Sequence, residues 1–190
     1  MVGEDFGVVL AAAQGGCEES FAVLWRDANP SLLRYLRVLA PDGAEDIAAE
    51  TWVQVVRGLP RFVGDEQAWR AWLFTTARRR MLDQARLRRR HPTEPLDEIG
   101  AEQVPASPDT EQLALENIAT EGAIELLSQL PAQQADVIML RVLAGLDTEA
   151  VAEILGKSPG AVRVLAHRGL KRLEATLTRN GATSRAGVTL

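Results

Sequence analysis

A chain of 190 residues, 46% hydrophobic and 25% charged, has room for one domain or two small ones and is not a disordered polymer. No stretch approaches the ~18 consecutive apolar residues of a membrane span, so no direct membrane insertion is expected. The start, with Glu4 and Asp5, lacks the basic region of a signal peptide, which makes the expected compartment cytoplasmic. The net charge of −5 is unevenly spread: residues 1–90 carry +1, residues 91–122 carry −8 with no Lys or Arg, and residues 123–190 carry +2. The acidity belongs to the middle of the chain, and both flanks are mildly basic.

In chain order, Phe6, Val9, Leu10 and Ala13 form one stripe, predicting a short helix over 5–14 that ends at Gly15-Gly16. A second helix follows with Cys17, Phe21, Leu24 and Ala28 on its buried side. Asn29-Pro30 restarts or kinks it, and Leu32, Tyr35, Leu36 and Leu39 continue the face to Pro41. Asp42 with Glu45 three residues later has the spacing of a capping arrangement, opening a helix that buries Ala48, Trp52, Val55 and Val56. Gly58 and Pro60 stop it, and 59–65 reads as a loop. The longest helix is expected over about 66–90, with Trp69, Trp72, Leu73, Thr76, Ala77 and Met81 inward.

Residues 78–90 hold seven arginines: Arg78, Arg79, Arg80, Arg86, Arg88, Arg89 and Arg90. Cations at a helix C-terminus are ordinary, but this density beside Phe62 and Trp69 favours a phosphate-binding surface. The proline-rich stretch 92–109 reads as a linker. Helical spacing resumes at Leu113, then Ala123, Leu126, Leu127 and Leu130, and Pro131 begins a helix over 132–144 that ends before Gly145. The tail from Asn180 has no pattern and is expected to be disordered.

Residues 147–173 read as a helix-turn-helix. Asp147 is a plausible N-cap, with Ala150, Val151, Ile154 and Leu155 at helical spacing behind it. Gly156 supplies a left-handed turn, and Ser158-Pro159 restarts a helix as cap and first position. On that second helix Val162, Ala166, Gly169 and Leu173 recur on one face, while Arg163, His167, Arg168, Lys171 and Arg172 make the rest basic. This is the layout of a recognition helix for the DNA major groove; a helical hairpin with a solvated basic face is the alternative. No period-two strand pattern appears, so the fold reads as all-α.

Taken together, FAVLWRDANPSLLRYLRVL (21–39), AEDIAAETWVQV (44–55), LPRFVGDEQAWRAWLFTTARRRMLDQAR (59–86), LPAQQADVIMLRVLAGLDTEAVAEILGKSPGAVR (130–163) and HRGLKRL (167–173) resemble the extracytoplasmic-function (ECF) sigma factors of bacterial RNA polymerase. The resemblance implies two small helical domains joined by a flexible acidic linker, the second containing the helix-turn-helix. Their expected bounds are 1–91 and 111–179, with the linker at 92–110 and a disordered tail at 180–190. It further implies a factor that binds core RNA polymerase, melts the promoter −10 element and reads the −35 element. Asp46, Ile47, Glu50, Thr51 and Trp52 match the polymerase-binding segment. Arg61, Phe62, Trp69, Trp72, Arg78, Arg79, Arg80 and Arg86 fall in the segment implied to bind the −10 DNA. Ser158, Arg163, His167, Arg168 and Lys171 are the implied −35 contacts.

A melted base needs an aromatic or apolar surface to replace lost stacking, and a single strand needs cations along its backbone. Trp69 and Trp72, spaced i and i+3, fit either that role or a core. Where this chain has Ala49, Arg79, Val164, Leu165 and Leu170, the family more often has polar or differently charged residues, so the recognition helix is less polar than its relatives'. Leu165 could contact a thymine methyl or pack. The resemblance also implies an anti-sigma factor as a partner. The acidic linker is expected either to mimic RNA in the polymerase's exit path or to serve as a soluble tether.

A repressor or activator that binds DNA through 147–173 and uses residues 1–90 as a sensing or dimerising module is the competing reading, and co-purification with core polymerase separates the two. No catalytic residue, metal or cofactor is expected: His91 and His167 are far apart, Cys17 has no evident base and at its spacing reads as core, and no Gly-rich phosphate loop appears.

Overall fold

The computed structural model describes residues 2–90 and 122–186, with side chains to residue 179. Helix α1 (Phe6–Gln14) buries Phe6, Leu10 and Ala13, and Gly16 at φ +91° turns the chain into α2 (Glu18–Leu39). Cys17, expected inside, is exposed at the N-cap of α2, where the Ser20 hydroxyl donates to its sulfur at 3.3 Å and holds the thiol below its usual pKa. Pro30 does not interrupt α2. Leu24 and Ala28 before it and Leu32, Tyr35 and Leu36 after it share one buried face. Tertiary packing along that face outweighs the hydrogen bond an interior proline forfeits.

Helix α3 (Ala44–Gly58) begins differently from the expected capping arrangement. Gly43, at φ +118°, occupies the N-cap without a side-chain bond. Glu45 turns instead to Arg37 at 2.9 Å, a contact that holds its carboxyl below the usual carboxylate range. Asp42 offers its backbone carbonyl to Arg88. Ala48, Trp52 and Val55 are buried as the spacing predicts, but Val56 is exposed. A short 3-10 turn (Leu59–Arg61) leads to α4 (Glu66–Arg90), whose Trp69, Leu73, Phe74 and Ala77 face the core.

Arg70 is also inside, which the periodicity does not reveal. It pairs with Asp27 of α2 at 2.6 Å and with Glu66 at 3.6 Å, and Glu66 in turn accepts the backbone N–H groups of Val2 and Gly3. A buried guanidinium is tolerable only when its charge is matched in this way.

The second half is built from α5 (122–128), α6 (Ala132–Val142), α7 (Thr148–Leu155) and α8 (Pro159–Ala186). Residues 134–140 of α6 are all buried, including the polar Gln134 and Asp136. Gly169 lets α8 approach closely: a Cβ there would lie 2.6 Å from Ile138. At 28 residues α8 is longer than α4 at 25, and it runs on past Asn180, where a disordered tail was expected. The linker 92–110 and the renewed periodicity at Leu113 lie outside the described residues. Among the described residues there is no strand and no helix long and apolar enough to cross a membrane.

The two halves pack on each other, α2 against α6 and α4 against α7. The Tyr35 hydroxyl donates to one oxygen of Asp136 at 2.8 Å, and Arg78 Nε donates to the other at 3.0 Å. Gln67 Nε2 reaches the Gly145 carbonyl at 3.2 Å.

Burial, followed by the Asp136 charge, pushes the Tyr35 phenol well above its ordinary value. The folded protein therefore holds this proton more tightly than the unfolded chain does. The stabilisation is complete below the ordinary phenol pKa of about 10 and falls as pH rises beyond it. Because the chain has one tyrosine, tyrosinate absorbance near 295 nm reports on this site alone. It should stay absent above pH ~10 until the far-ultraviolet helical signal or the contact between the halves is lost. Ordinary titration near pH 10 in the folded protein would contradict this burial.

Candidate nucleic-acid interface

The loop between α3 and α4 is shaped by aromatic packing. Phe62 stacks on Trp72, with centroids 5.1 Å apart and planes within 16°, and meets Trp69 edge-on at 5.8 Å. Trp69 also touches Trp52 and Trp72, and Trp52 continues the contact to Phe21 of α2. At 1% exposure Trp69 is core and presents no face to a base, whereas Phe62 and Trp72 are half-buried at the surface. The Gln14 side-chain amide of α1 donates to the carbonyls of Leu59 and Phe62, at 2.9 and 2.7 Å, and fixes the loop from behind. Arg61 and Val63 are left outward, Val63 at 93% exposure.

Beside this stack runs the cationic side of α4. A cleft of about 510 Å³ lies between α3 and α4, lined by Gln54, Arg57, Trp72, Thr76, Arg79 and Arg80 among others. Arg79 and Arg86 are exposed, although Arg86 contacts Asp83 at 2.9 Å. Arg80 approaches Glu50 of α3 at 3.8 Å. Arg78 is turned away from this cleft towards Asp136. Arg61, Phe62, Trp72, Arg79 and Arg80 thus gather around one surface, while Trp69 lies beneath it and Arg78 is engaged elsewhere.

The five residues matched to polymerase binding divide by burial. Asp46 and Glu50 are exposed on α3, whereas Ile47, Thr51 and Trp52 face the core. The Thr51 hydroxyl donates to the Ile47 carbonyl at 2.6 Å, and the Trp52 indole N–H donates to Asn29 at 2.9 Å. Only the two carboxylates and neighbours such as Ala49 and Val53 are presented outward.

The helix-turn-helix forms as its sequence predicts. The Asp147 carboxylate accepts the Ala150 N–H at 2.7 Å, Gly156 turns at φ +61°, and the Ser158 hydroxyl oxygen accepts the Ala161 N–H at 3.2 Å. Val162 and Gly169 are buried and Ala166 and Leu173 half-buried, so the packed stripe of α8 is the expected one. Leu165 is half-buried against the core, whereas Val164 and Leu170 are exposed. Arg163, His167, Arg168 and Lys171 are all exposed, with Arg163 near Glu149 at 3.5 Å.

Residues 24–91 match the Sigma-70 region 2 family, and residues 121–173 match Sigma-70 region 4. The ECF RNA polymerase sigma factor ShbA of Streptomyces griseus is 34% identical over 180 residues, covering 89% of this chain and 93% of the relative. The chain belongs to the ECF sigma factors. SigD of Mycobacterium tuberculosis, another ECF RNA polymerase sigma factor, is 30% identical over 187 residues, covering 95% of this chain and 88% of the relative. Two solved structures share the fold. CnrH in complex with the cytosolic domain of CnrY has a TM-score of 0.61 at 21% identity, covering 93% of this chain and 99% of that one. RpoE in complex with the anti-sigma factor NepR, from Bartonella quintana, has a TM-score of 0.60 at 23% identity, covering 84% and 98%. The protein is a promoter-recognising sigma factor of RNA polymerase.

Three features of this sigma factor's site escaped the sequence reading: the Gln14 clamp on the loop, the burial of Arg70 and the capture of Arg78 by Asp136. Each joins residues at least 43 positions apart, beyond the reach of local periodicity. Gly58 could have been noticed for more than helix termination, because a Cβ there would lie 2.6 Å from the Trp72 indole. Gly58→Ala should therefore displace Trp72 from Phe62 and cost about 1–3 kcal/mol, the range for overpacking a tight contact. Denaturant unfolding followed by tryptophan emission measures it, and unchanged stability and emission would show that the ring moves aside freely.

Proposed function

We propose that this sigma factor binds core RNA polymerase through the outer surface of α3, with Asp46 and Glu50 its charged contacts. Ile47, Thr51 and Trp52 shape that surface from beneath. The −10 element is melted and held at the loop and α4: Phe62 and Trp72 offer a stacking surface, and Arg61, Arg79, Arg80 and Arg86 neutralise backbone phosphates. Trp69 supports the stack from within, and Arg78 joins the contacts once Asp136 releases it. The −35 element is read as duplex by α8 through Arg163, His167, Arg168 and Lys171, with Ser158 at the helix start. The observation that carries this reading is the stacked Phe62–Trp72 pair beside an arginine-lined cleft, on the same chain as a helix-turn-helix with an exposed basic face.

The protein works as a subunit in the cytoplasm, without catalytic chemistry of its own or a cofactor. Its domains are a polymerase- and −10-binding unit ending near residue 91 and a −35-binding unit over 111–179. RpoE was solved with an anti-sigma factor, which supports a protein partner of that class here, and the exposed apolar side chains Val23, Trp25 and Val53 on α2 and α3 provide contact area for one. The 92–110 linker between the two units carries five acidic side chains and no Lys or Arg, and such a polyanion can steer assembly with a cationic polymerase surface.

The deciding experiment is co-purification with core polymerase followed by transcription from a mapped promoter. Binding of a palindromic operator as a dimer without polymerase would instead favour a conventional regulator. Within the holoenzyme, replacing Arg79, Arg80 and Arg86 together by Gln should weaken promoter binding. The log–log salt dependence should become shallower by about two to three; an unchanged slope would mean that these arginines are only solvated. Arg168→Ala should cost about 1–3 kcal/mol of discrimination between −35 sequences if its contact is to a base edge, and should weaken all sequences equally if it touches phosphate. No change in either would remove Arg168 from the interface.

A further inference from the structure

Two residues on the outward face of α8 have no explanation inside the fold. The first is Val164, which is 48% exposed. It points about 140–180° around the helix from Val162, Ala166, Gly169 and Leu173, the stripe that packs on the rest of the second half. Gly160, Arg168 and Lys171 lie within about 40° of it and His167 within about 60°, all of them exposed. A single exposed valine is ordinary on a protein surface, but this one stands in the middle of a cationic face, where it extends no apolar patch. Valine is also a poorer helix former than alanine, so helix propensity does not place it there. Leu170, another exposed apolar residue of α8, lies about 120° further round and off that line.

The second is Gly160, in the first turn of α8. Its backbone is helical and not left-handed, and a Cβ there would meet only Ser158 Oγ, at 4.0 Å. Neither conformation nor crowding within the protein calls for glycine, and alanine would make a more stable helix.

We infer that Gly160 and Val164 together read a thymine in the −35 element. The bare first turn lets α8 sit deep in the major groove, and Val164 packs on the C5-methyl group of that base. The inference rests on the assignment of α8 to the −35 element. A helix-turn-helix meets base edges with the N-terminal part of its second helix, and both residues fall in the first two turns of α8. The thymine methyl is the one apolar group that a base pair presents in the major groove; the others are hydrogen-bond donors and acceptors. Valine can neither donate nor accept, so against any other base edge it would displace water from a polar group and return nothing.

Valine is also short. A Cβ at position 160, one turn earlier on the same line, would stand between helix and groove and hold the valine methyls off. Leu165, for which the sequence allows the same role, packs instead against the core. Arg168 and Lys171, on either side of Val164, hold phosphates or guanine edges and so fix the register in which the valine meets its base.

The test uses the holoenzyme and a promoter mapped from its transcript 5′ ends. Each thymine of the −35 element, on either strand, is replaced in turn by deoxyuridine, which removes the C5-methyl group and keeps every hydrogen bond. Binding should weaken about three- to fivefold at one of these positions, the size expected for one buried methyl group. Val164→Ala should weaken binding to the unmodified promoter by a similar factor and abolish the difference between thymine and deoxyuridine there. Gly160→Ala should raise the melting temperature of the free protein and yet weaken promoter binding, a pairing that a purely structural role does not produce. Thermal melting of the Val164 variant confirms that it is folded.

Methyl dependence at no −35 thymine, or the same dependence in Val164→Ala as in the unaltered protein, overturns the thymine contact. Full promoter binding by Gly160→Ala overturns the close approach. Arg168→Ala separates these failures from failure of the underlying reading. If it weakens promoter binding while the other changes do nothing, α8 still reads the −35 element and only the proposed contact is lost. If Arg168→Ala, Val164→Ala and every deoxyuridine are without effect, α8 does not read the −35 element and the inference falls with that assignment.

Discussion

The indole of Trp69 is where the first half of the molecule is held together. It lies against Trp52 of α3, Phe62 of the loop and Trp72 of its own helix, so two helices and a loop share one ring as a packing surface. A single buried aromatic contributes most when its neighbours are themselves aromatic and meet it at an angle, as Phe62 does. The surface proposed to face DNA is thus the outer side of a close-packed cluster. Phe62 and Trp72 are presented in one orientation because Trp69 and the Gln14 amide leave them few others. Preorganisation of this kind lowers the ordering cost of capturing a nucleotide.

Much of this was legible in the sequence, because most of the determining signals are local. The end of α3 follows from Gly58 and Pro60, and α4 from the apolar spacing that begins at Trp69. The helix-turn-helix follows from Asp147, Gly156 and Ser158-Pro159, each of which performs the local task its chemistry fits. The departures from local expectation differ in cause. Glu45 has the spacing of a capping residue but bonds to Arg37, and Cys17 has the spacing of a core residue but lies on the outer rim. Pro30 has the chemistry of a helix breaker but sits in a helix held by packing on both sides. For Glu45 and Pro30 packing or a partner from elsewhere in the fold outweighed a local preference of about 1–3 kcal/mol, whereas Cys17 stays exposed and bonds to Ser20 in the next turn.

The candidate site was legible as an inventory but not as a geometry. Seven arginines in thirteen residues signal phosphate, yet the sequence does not say that Arg80 leans towards Glu50, that Arg88 serves Asp42, or that Arg78 is taken by the other half of the chain. Nor does the segment matched to polymerase binding reveal which of its residues are free to make contacts and which pack beneath; burial of Ile47, Thr51 and Trp52 separates them from the exposed Asp46 and Glu50. Residue type identifies the chemistry available to a helix, and packing decides which side chains are free to use it.

The Asp136 contact has a consequence for which substitutions the chain tolerates. One carboxylate on α6 accepts the Tyr35 hydroxyl of α2 on one oxygen and Arg78 Nε of α4 on the other. Its loss leaves a buried hydroxyl and a half-buried guanidinium without that partner at the same time, in a different half of the molecule from the mutation itself. Replacing Tyr35 by Phe removes one donor and leaves the Arg78 contact in place. The three positions are thus unequal in the variation they admit, and the acid is the least replaceable of them.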